Sequence, residues 1–324
     1  MSSNFSLKHK IMVLIQFVIM IGAFFYIILM IDWSHIGNIL TQARIEIFIL
    51  AFGLGLAALI PASLRWLCLL KAIKVSFSPV SAYRAYLSGV FVGVAMPGVI
   101  GGDMVRVWFC MRDTGTSLLL ASTTILLERL LGVGALLLIL STGIYLTDFK
   151  STNDFFEFVP FLAISGLIII TFFPWIIRRI AALCKMGKTL ASVNRILDPL
   201  QSIKISLLYV ALFLSIVYQA FDICISFFIA TSLGYNLSPV NLMVALPIAY
   251  LVTVLPLSPG GLGVREATFV AVLAFFGMSP NEAALLALAI FLNRVLIGLI
   301  GGINFFNDYS SFRKSIKNKS TVEV

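Results

Sequence analysis

Eight charged side chains lie inside hydrophobic stretches of this 324-residue sequence, where a charge is unfavourable. Four are acids and four are arginines, in the order Asp103, Arg106, Glu128, Arg129, Asp222, Arg265, Glu266 and Arg294. A charge at the centre of a membrane helix costs about 2.5–3.5 kcal/mol on insertion scales, so these residues are expected to pair with one another or to face water. Asp222 stands alone in its stretch, and we expect it to pair with one of the arginines across the fold.

The arginines favour the binding of an anion. A guanidinium group forms two parallel hydrogen bonds with a phosphate and stays charged when it is buried. Helices that begin after Gly102 and Gly263 would add backbone N–H groups and the positive end of a helix dipole. The candidate anion-binding residues are therefore Arg106, Arg129, Arg265, Arg294, Gly101, Gly102, Gly260, Gly261 and Gly263, with Asp103, Glu128, Glu266 and Asp222 as their charge partners. The alternative is an ion-pair network that only holds the helices together.

Arg65 is interpreted differently, because it stands beside a tryptophan at the predicted end of a hydrophobic stretch. We expect its long side chain to reach the membrane surface rather than to join the buried network. The tryptophans Trp33, Trp66, Trp108 and Trp175 all lie at or near predicted segment ends. Tryptophan is enriched at membrane–water interfaces, so we expect all four to be interfacial anchors.

The composition requires an integral membrane protein. Hydrophobic residues make up 60% of the sequence and charged residues only 11%, whereas a soluble domain carries about 25% charged residues. The net charge of +9 does not indicate a nucleic-acid partner, because the basic residues lie between hydrophobic stretches, as the positive-inside rule requires. The predicted class is an all-α integral membrane protein without a soluble domain. We expect it in a bacterial inner (plasma) membrane, with both termini in the cytoplasm.

Eight hydrophobic segments are predicted, at 11–31, 45–70, 84–112, 116–147, 158–178, 205–231, 239–277 and 283–306. Basic loops place Arg84 on the cytoplasmic side, and the acidic stretch that begins at Asp148 lies outside. An odd number of crossings must separate the two, yet two segments lie between them, and the second half poses the same problem. One segment in each half must therefore be re-entrant or broken, and 84–112 and 239–277 are the candidates because proline and glycine weaken helical hydrogen bonding.

The two halves of the sequence also carry matching motifs. PGVIGGDMVR at 97–106 parallels PGGLGVRE at 259–266, and LERLLG at 127–132 parallels LNRVLIG at 292–298. Broken helices in two inverted halves are typical of transporters, with the site near the midplane. The sequence predicts about six full transmembrane helices and two re-entrant hairpins. The first repeat is 1–150, and the second is 151–324 with a basic cytoplasmic tail at 307–324.

This set of motifs resembles the flippase-like membrane family that includes the transmembrane flippase region of lysylphosphatidylglycerol synthetases. The matching residues are Gly101, Gly102, Asp103, Arg106, Glu128, Arg129, Leu130, Pro259, Gly260, Gly261, Gly263, Arg265 and Glu266. The likeness runs from about residue 11 to residue 306, and it implies a bundle that moves an anionic lipid between leaflets. Aminoacylated phosphatidylglycerol and polyprenyl-phosphate sugars are the lipids it implies. The soluble aminoacyl-transferase domain of the synthetases is expected to be absent, which leaves the lipid undetermined.

The predicted function is therefore a lipid flippase that translocates an anionic phospholipid or another lipid-linked anion, with the head group bound by midplane arginines. The alternative is a membrane-embedded accessory subunit or enzyme of lipid or polyprenyl-phosphate-sugar metabolism, with Asp103, Glu128 or Glu266 as a base or metal ligand. The two histidines, His9 and His35, lie near opposite faces, so no histidine-based site is expected at membrane depth. We expect no catalytic residue, no metal and no cofactor. Membrane lipids are the expected partners, with a lipid-modifying enzyme or a glycosyltransferase left open.

Overall fold

The computed structural model describes residues 43–95, 99–147, 158–184, 203–253 and 263–322, together with Phe25. These ranges contain nine helices and no strand, which confirms the predicted all-α class. The helices are α1 (Ile45–Ala72), α2 (Pro79–Ala95), α3 (Val99–Thr114), α4 (Leu118–Leu146), α5 (Val159–Cys184), α6 (Ile205–Ser232), α7 (Pro239–Val252), α8 (Val264–Phe275) and α9 (Pro280–Val322).

Among the described residues, four helices are long and apolar enough to cross a membrane. They are α1, α4, α6 and the first 29 residues of α9, Pro280–Asp308. A span needs about 20 apolar residues, and each of these helices exceeds that length. Shorter apolar helices are α7 and the Val159–Ile169 part of α5. The predicted first segment, 11–31, lies outside the described residues apart from Phe25.

Both proline- and glycine-rich segments are divided into two helices. The segment 84–112 forms parts of α2 and α3, and the segment 239–277 forms α7 and α8. The residues between the helices of each pair, 96–98 and 254–262, lie outside the described residues. In each pair the two helices pack against one another. The breaks therefore fall where the sequence placed them.

The helices α1 and α6 pack along each other in opposite directions. The backbone N–H of Arg44, just before α1, donates to the carbonyl oxygen of Ser232 at the end of α6, at 2.9 Å. At the other end, Ile73 after α1 and Ile203 before α6 belong to the same buried cluster. The start of each helix therefore lies beside the end of the other.

Each of the two broken segments packs against the long helix that closes the other half of the chain. The helix α2 contacts α9, and α7 contacts α4. Both contacts are close at a glycine, where Gly301 of α9 faces Leu87 and Gly143 of α4 faces Met243. The broken segments thus tie the two halves of the sequence together.

A turn that ends α1 is repeated at the end of α6. Lys74 and Gly234 each lie two residues past the helix end, with φ angles of 63° and 80°. In both turns the next N–H donates back into the helix at 2.9 Å, from Val75 to Leu70 and from Tyr235 to Ala230. Ser-Pro-Val then begins the following helix, at 78–80 and at 238–240. This repeat was not predicted, because lysine and glycine differ in type although they adopt the same backbone conformation.

The variant Gly301→Ala is expected to destabilise the bundle. An added Cβ at this position would overlap the backbone carbonyl oxygen of Leu87, which cannot rotate away, so α2 and α9 would have to separate. Overpacking of this kind costs about 1–3 kcal/mol. Thermal unfolding in detergent should show a lower midpoint. The matched control is Gly53→Ala in α1, where no described heavy atom lies within 4 Å of the added Cβ and the helix interior favours alanine. Equal midpoints for the two variants would contradict the prediction.

Candidate functional site

Glu128 on α4 is the centre of a buried polar cluster. Its Oε1 accepts hydrogen bonds from Nη2 of Arg65 on α1 and from the hydroxyl of Tyr86 on α2. Its Oε2 accepts a hydrogen bond from Nη2 of Arg106 on α3. Arg65 also donates through Nη1 to Oγ of Ser215 on α6, at 3.1 Å. This carboxylate therefore joins four helices directly, Arg65 extends the network to α6, and each carboxylate oxygen binds a guanidinium group.

Aromatic rings enclose the two arginines of this cluster. The Arg106 guanidinium lies 3.9 Å from the ring centroid of Tyr86 and 4.7 Å from that of Trp66. The Arg65 guanidinium lies 5.6 Å from the ring centroid of Tyr218 on α6. Such contacts strengthen when water is excluded. The rings therefore hold both guanidinium planes in place while Glu128 compensates their charge.

The prediction that Arg65 reaches the membrane surface is wrong. Arg65 is only 7% exposed and pairs with Glu128. Trp66 is not an interfacial anchor either, because it is fully buried and its Nε1 donates to Oγ1 of Thr124 at 3.0 Å. The helix α1 continues to Ala72, so both residues lie about two turns before its end. An arginine without an acidic neighbour inside a 28-residue helix was the signal in the sequence.

Asp103 on α3 extends the cluster to its exposed edge. Its Oδ1 accepts a hydrogen bond from Nη1 of Arg106 at 3.4 Å. Its Oδ2 accepts from Nε of Arg129 at 2.8 Å and also from Nη2 of Arg129. The Arg129 side chain is 46% exposed and that of Asp103 is 22% exposed. We call these five residues, Arg65, Asp103, Arg106, Glu128 and Arg129, the Glu128 cluster. Among the described residues it contains three arginines and two carboxylates.

Arg265 and Glu266 form an ion pair at the start of α8. Glu266 accepts through Oε1 from Nε of Arg265 at 2.9 Å and also from Nη2 of Arg265. Its Oε2 accepts from the backbone N–H of Gly263 at 2.8 Å. Gly263 has a φ angle of 79°, which a side chain would strain. Glu266 therefore caps its own helix while it compensates Arg265.

Asp222 on α6 lies among the arginines of the second half. Its carboxylate interacts with the hydroxyl of Tyr250 on α7, and at longer range with the charges of Arg294 and Arg265. Tyr218, one turn earlier on α6, interacts with Asp222 and Arg294 and also with the Glu128 cluster. We call Asp222, Arg265, Glu266 and Arg294 the Asp222 cluster. Tyr218 connects it to the Glu128 cluster.

The two clusters are built on corresponding helices with the charges exchanged. In the first half the arginine lies on α1 and the acid on α4, whereas in the second half the acid lies on α6 and the arginine on α9. In both halves, the first arm of the broken segment contributes a tyrosine and the second arm contributes an arginine. The corresponding sets are Arg65, Glu128, Tyr86 and Arg106 in one half and Arg294, Asp222, Tyr250 and Arg265 in the other.

The predicted glycines have different environments. Gly260 and Gly261 lie outside the described residues. Gly101 and Gly102 lie in the first turn of α3. A Cβ on Gly102 would lie 2.5 Å from the carbonyl oxygen of Gly89, so glycine is required there for the close approach of α2 and α3. Anion binding by the arginines and glycines stays a prediction. Within the described ranges, no three His, Cys, Asp or Glu side chains are arranged to hold a metal ion.

Comparison with known proteins decides the family. The family model of the transmembrane region of lysylphosphatidylglycerol synthase matches residues 13–302. The chain belongs to this family. The match confirms the resemblance that was based on the Gly-Gly-Asp, Glu-Arg-Leu and Pro-Gly-Gly motifs. Together with the four long apolar helices, it identifies an integral membrane protein.

Two similar proteins come from Methanocaldococcus jannaschii, and both are named as UPF0104 membrane proteins. The first, MJ1595, is 24% identical over 306 residues, which cover 87% of this chain and 89% of the relative. The second, MJ1078, is 27% identical over 236 residues, which cover 71% of this chain and 99% of the relative. No solved structure matches the chain significantly.

Proposed function

We propose that this protein is a lipid flippase that moves an anionic phospholipid or another lipid-linked anion between the leaflets of the bilayer. The Glu128 cluster carries the proposal, because three arginines share two carboxylates inside a membrane bundle. Arginines at membrane depth mark a site for a charged ligand, and their guanidinium groups suit the oxygens of a phosphate group. The name of the family, which refers to the synthesis of a phospholipid, agrees with a lipid as the ligand.

The roles of the arginines follow from their exposure. Arg129 is the accessible member of the Glu128 cluster, so it meets the head group first. A phosphate oxygen then replaces Asp103 at Arg129, while Arg106 stays paired with Glu128. Arg265 and Arg294 provide the head-group contacts in the second half. The acyl chains remain in the lipid, and only the polar head group passes between the two broken segments.

The architecture that we propose is an inverted repeat of about six full transmembrane helices and two re-entrant hairpins, α2–α3 and α7–α8. Three features support it: the antiparallel packing of α1 and α6, the exchange of partners between the halves, and the exchanged charges of the two clusters. Inverted halves of a transporter alternate around a site near the midplane. The site between the hairpins would then open to each face in turn.

The proposed orientation follows the positive-inside rule. Lys71, Lys74 and Arg84 lie around the turn between α1 and α2, which we assign to the cytoplasmic face of an inner (plasma) membrane. The turn between α6 and α7, at 233–238, carries no charged residue and is assigned to the outer face. Both termini are then cytoplasmic.

The variant Arg129→Gln tests the transport function. Purified protein is reconstituted with fluorescent phosphatidylglycerol, and a membrane-impermeant reductant bleaches the label in the outer leaflet. Label in the inner leaflet is lost only if lipid crosses the bilayer. We expect Arg129→Gln to slow this loss at least about tenfold, because a charge-assisted hydrogen bond contributes about 1.5–3 kcal/mol.

The matched control for this experiment is Arg44→Gln, an exposed arginine before α1. Arg44 lies outside both clusters, so this variant should keep the wild-type rate. Equal rates of lipid exchange for Arg129→Gln and the wild type would show that Arg129 does not bind the head group. A wild-type protein that alters the lipid chemically without moving it would contradict the flippase and favour the enzyme alternative.

A further inference from the structure

The four carboxylates of the two clusters differ in how directly they are ion-paired. Glu128, Asp103 and Glu266 each accept a hydrogen bond from at least one guanidinium group. Asp222 has no ion pair within 4.0 Å among the described residues, and the hydroxyl of Tyr250 on α7 is the polar group beside it. Unlike Glu128 and Glu266, Asp222 is only partly buried. It is thus the carboxylate that combines access with the weakest hold on its negative charge.

The groups around Asp222 come from four helices of the second half, α6 to α9, and from two helices of the first. Tyr218 lies on the same helix, one turn away, and Tyr250 faces Asp222 from α7. Arg265 on α8 and Arg294 on α9 are its cationic neighbours. Beyond Tyr218 lie Arg65 on α1 and Glu128 on α4. A change in the charge of Asp222 therefore changes the electrostatic environment of both clusters.

We propose that Asp222 takes up and releases a proton in each transport cycle, so that the lipid anion crosses the membrane together with a proton. This inference rests on the proposed transport function. Neutralising Glu128, Asp103 or Glu266 would break a direct contact with a guanidinium group, whereas neutralising Asp222 breaks none. Ionisable residues that line the interior of membrane transporters commonly relay protons.

The proton changes the charge that the arginines present to the lipid. With Asp222 ionised, the Asp222 cluster has two arginines and two carboxylates and is neutral as a whole. With Asp222 neutral, the cluster has one positive charge in excess and attracts a phosphate monoanion. Thermodynamic linkage then requires the proton and the anion to strengthen each other's binding by the same factor. The proton enters from water on one side of the membrane and leaves to water on the other.

The first test detects the proton itself and does not depend on transport. Infrared difference spectra of the purified protein in liposomes, recorded across a pH series, should show the carbonyl band of a protonated carboxyl group. We expect the Asp222→Asn variant to lose that band and the Glu46→Gln variant to retain it. Tyr250→Phe keeps the carboxyl group but removes its hydroxyl partner, so it should shift the midpoint of the titration. A titrating band that persists in Asp222→Asn, or no such band in the wild type, overturns the proposal.

The second test uses the fluorescent-lipid liposomes with a pH difference of one unit across the membrane. We expect the wild type to enrich the labelled lipid in the leaflet that faces the alkaline side, by at most about tenfold if one proton accompanies each lipid. Asp222→Asn should still exchange lipid but without enrichment, and Glu46→Gln should behave as the wild type. If the wild type exchanges lipid without enriching it in either leaflet under the pH difference, the proton coupling is overturned. A wild type that shows the titrating band but moves no lipid overturns the flippase while leaving Asp222 as a proton site.

Discussion

The variant Glu128→Gln is expected to lower the free energy of unfolding by about 3–5 kcal/mol, because removing one partner of a buried ion pair leaves a buried charge uncompensated. Here two arginines, Arg65 and Arg106, lose their common partner at once. Glutamine has nearly the same size as glutamate, so packing is retained. Its NH2 group, however, would face a guanidinium donor where a carboxylate oxygen now accepts. The effect is therefore electrostatic rather than steric.

Unfolding of this variant is best measured in detergent, by heat or denaturant, with helical circular dichroism and size-exclusion chromatography as two independent probes. The double variant Arg65→Gln/Glu128→Gln tests the cause, since it also removes Arg65, whose carboxylate partner is lost, while Arg106 keeps its contact with Asp103. We expect the double variant to be more stable than Glu128→Gln. Glu46→Gln, in the exposed first turn of α1, should change the stability by no more than about 0.5 kcal/mol. A Glu128→Gln protein as stable as the wild type would show that the cluster does not hold the bundle together.

The variant Arg106→Lys is expected to slow lipid exchange at least about tenfold although it keeps the positive charge. Arg106 contacts Glu128 through Nη2 and Asp103 through Nη1, and its flat face lies on the ring of Tyr86. An ammonium group cannot make both contacts and stack at the same time. The loss of one charge-assisted hydrogen bond costs about 1.5–3 kcal/mol, and Asp103 is then free to pull Arg129 away from the head group.

The reconstituted lipid-exchange assay measures this effect, and an unfolding curve in detergent separates it from loss of fold. Arg44→Lys makes the same chemical change at an exposed position and should leave both measurements unchanged. Wild-type exchange by Arg106→Lys would mean that charge alone, without the planar geometry of arginine, is sufficient at this site.

The long helices and the breaks in two segments were predictable because each depends on a property of one segment. Length and hydrophobicity marked α1, α4, α6 and α9, and proline and glycine marked the divisions of 84–112 and 239–277. The prediction of one broken segment in each half needed only the charges of the connecting loops. Acidic partners for the arginines were also predictable, because an isolated buried charge is unfavourable.

The members of the clusters that were missed share one feature, which is distance along the chain. Arg65 precedes Glu128 by 63 residues, and Ser215 follows Arg65 by 150 residues. Tyr86, Tyr218 and Tyr250 are ordinary residues in an apolar helix until a carboxylate faces them. The matched turns at Lys74 and Gly234 were missed for a related reason, since their likeness lies in the backbone angle and not in the residue type.

Membership of the membrane class, the all-helical fold and the presence of an arginine-rich polar network follow from the sequence, because hydrophobicity and the energy of burying a charge belong to each segment separately. The partners of each arginine, and the difference between the ion-paired Glu128 and the loosely held Asp222, were decided only by packing. Which side chains face one another depends on how α1, α4 and α6 rotate and cross, and that geometry minimises the energy of the whole bundle. The arginine that looked like a surface anchor, Arg65, therefore became a central member of the site.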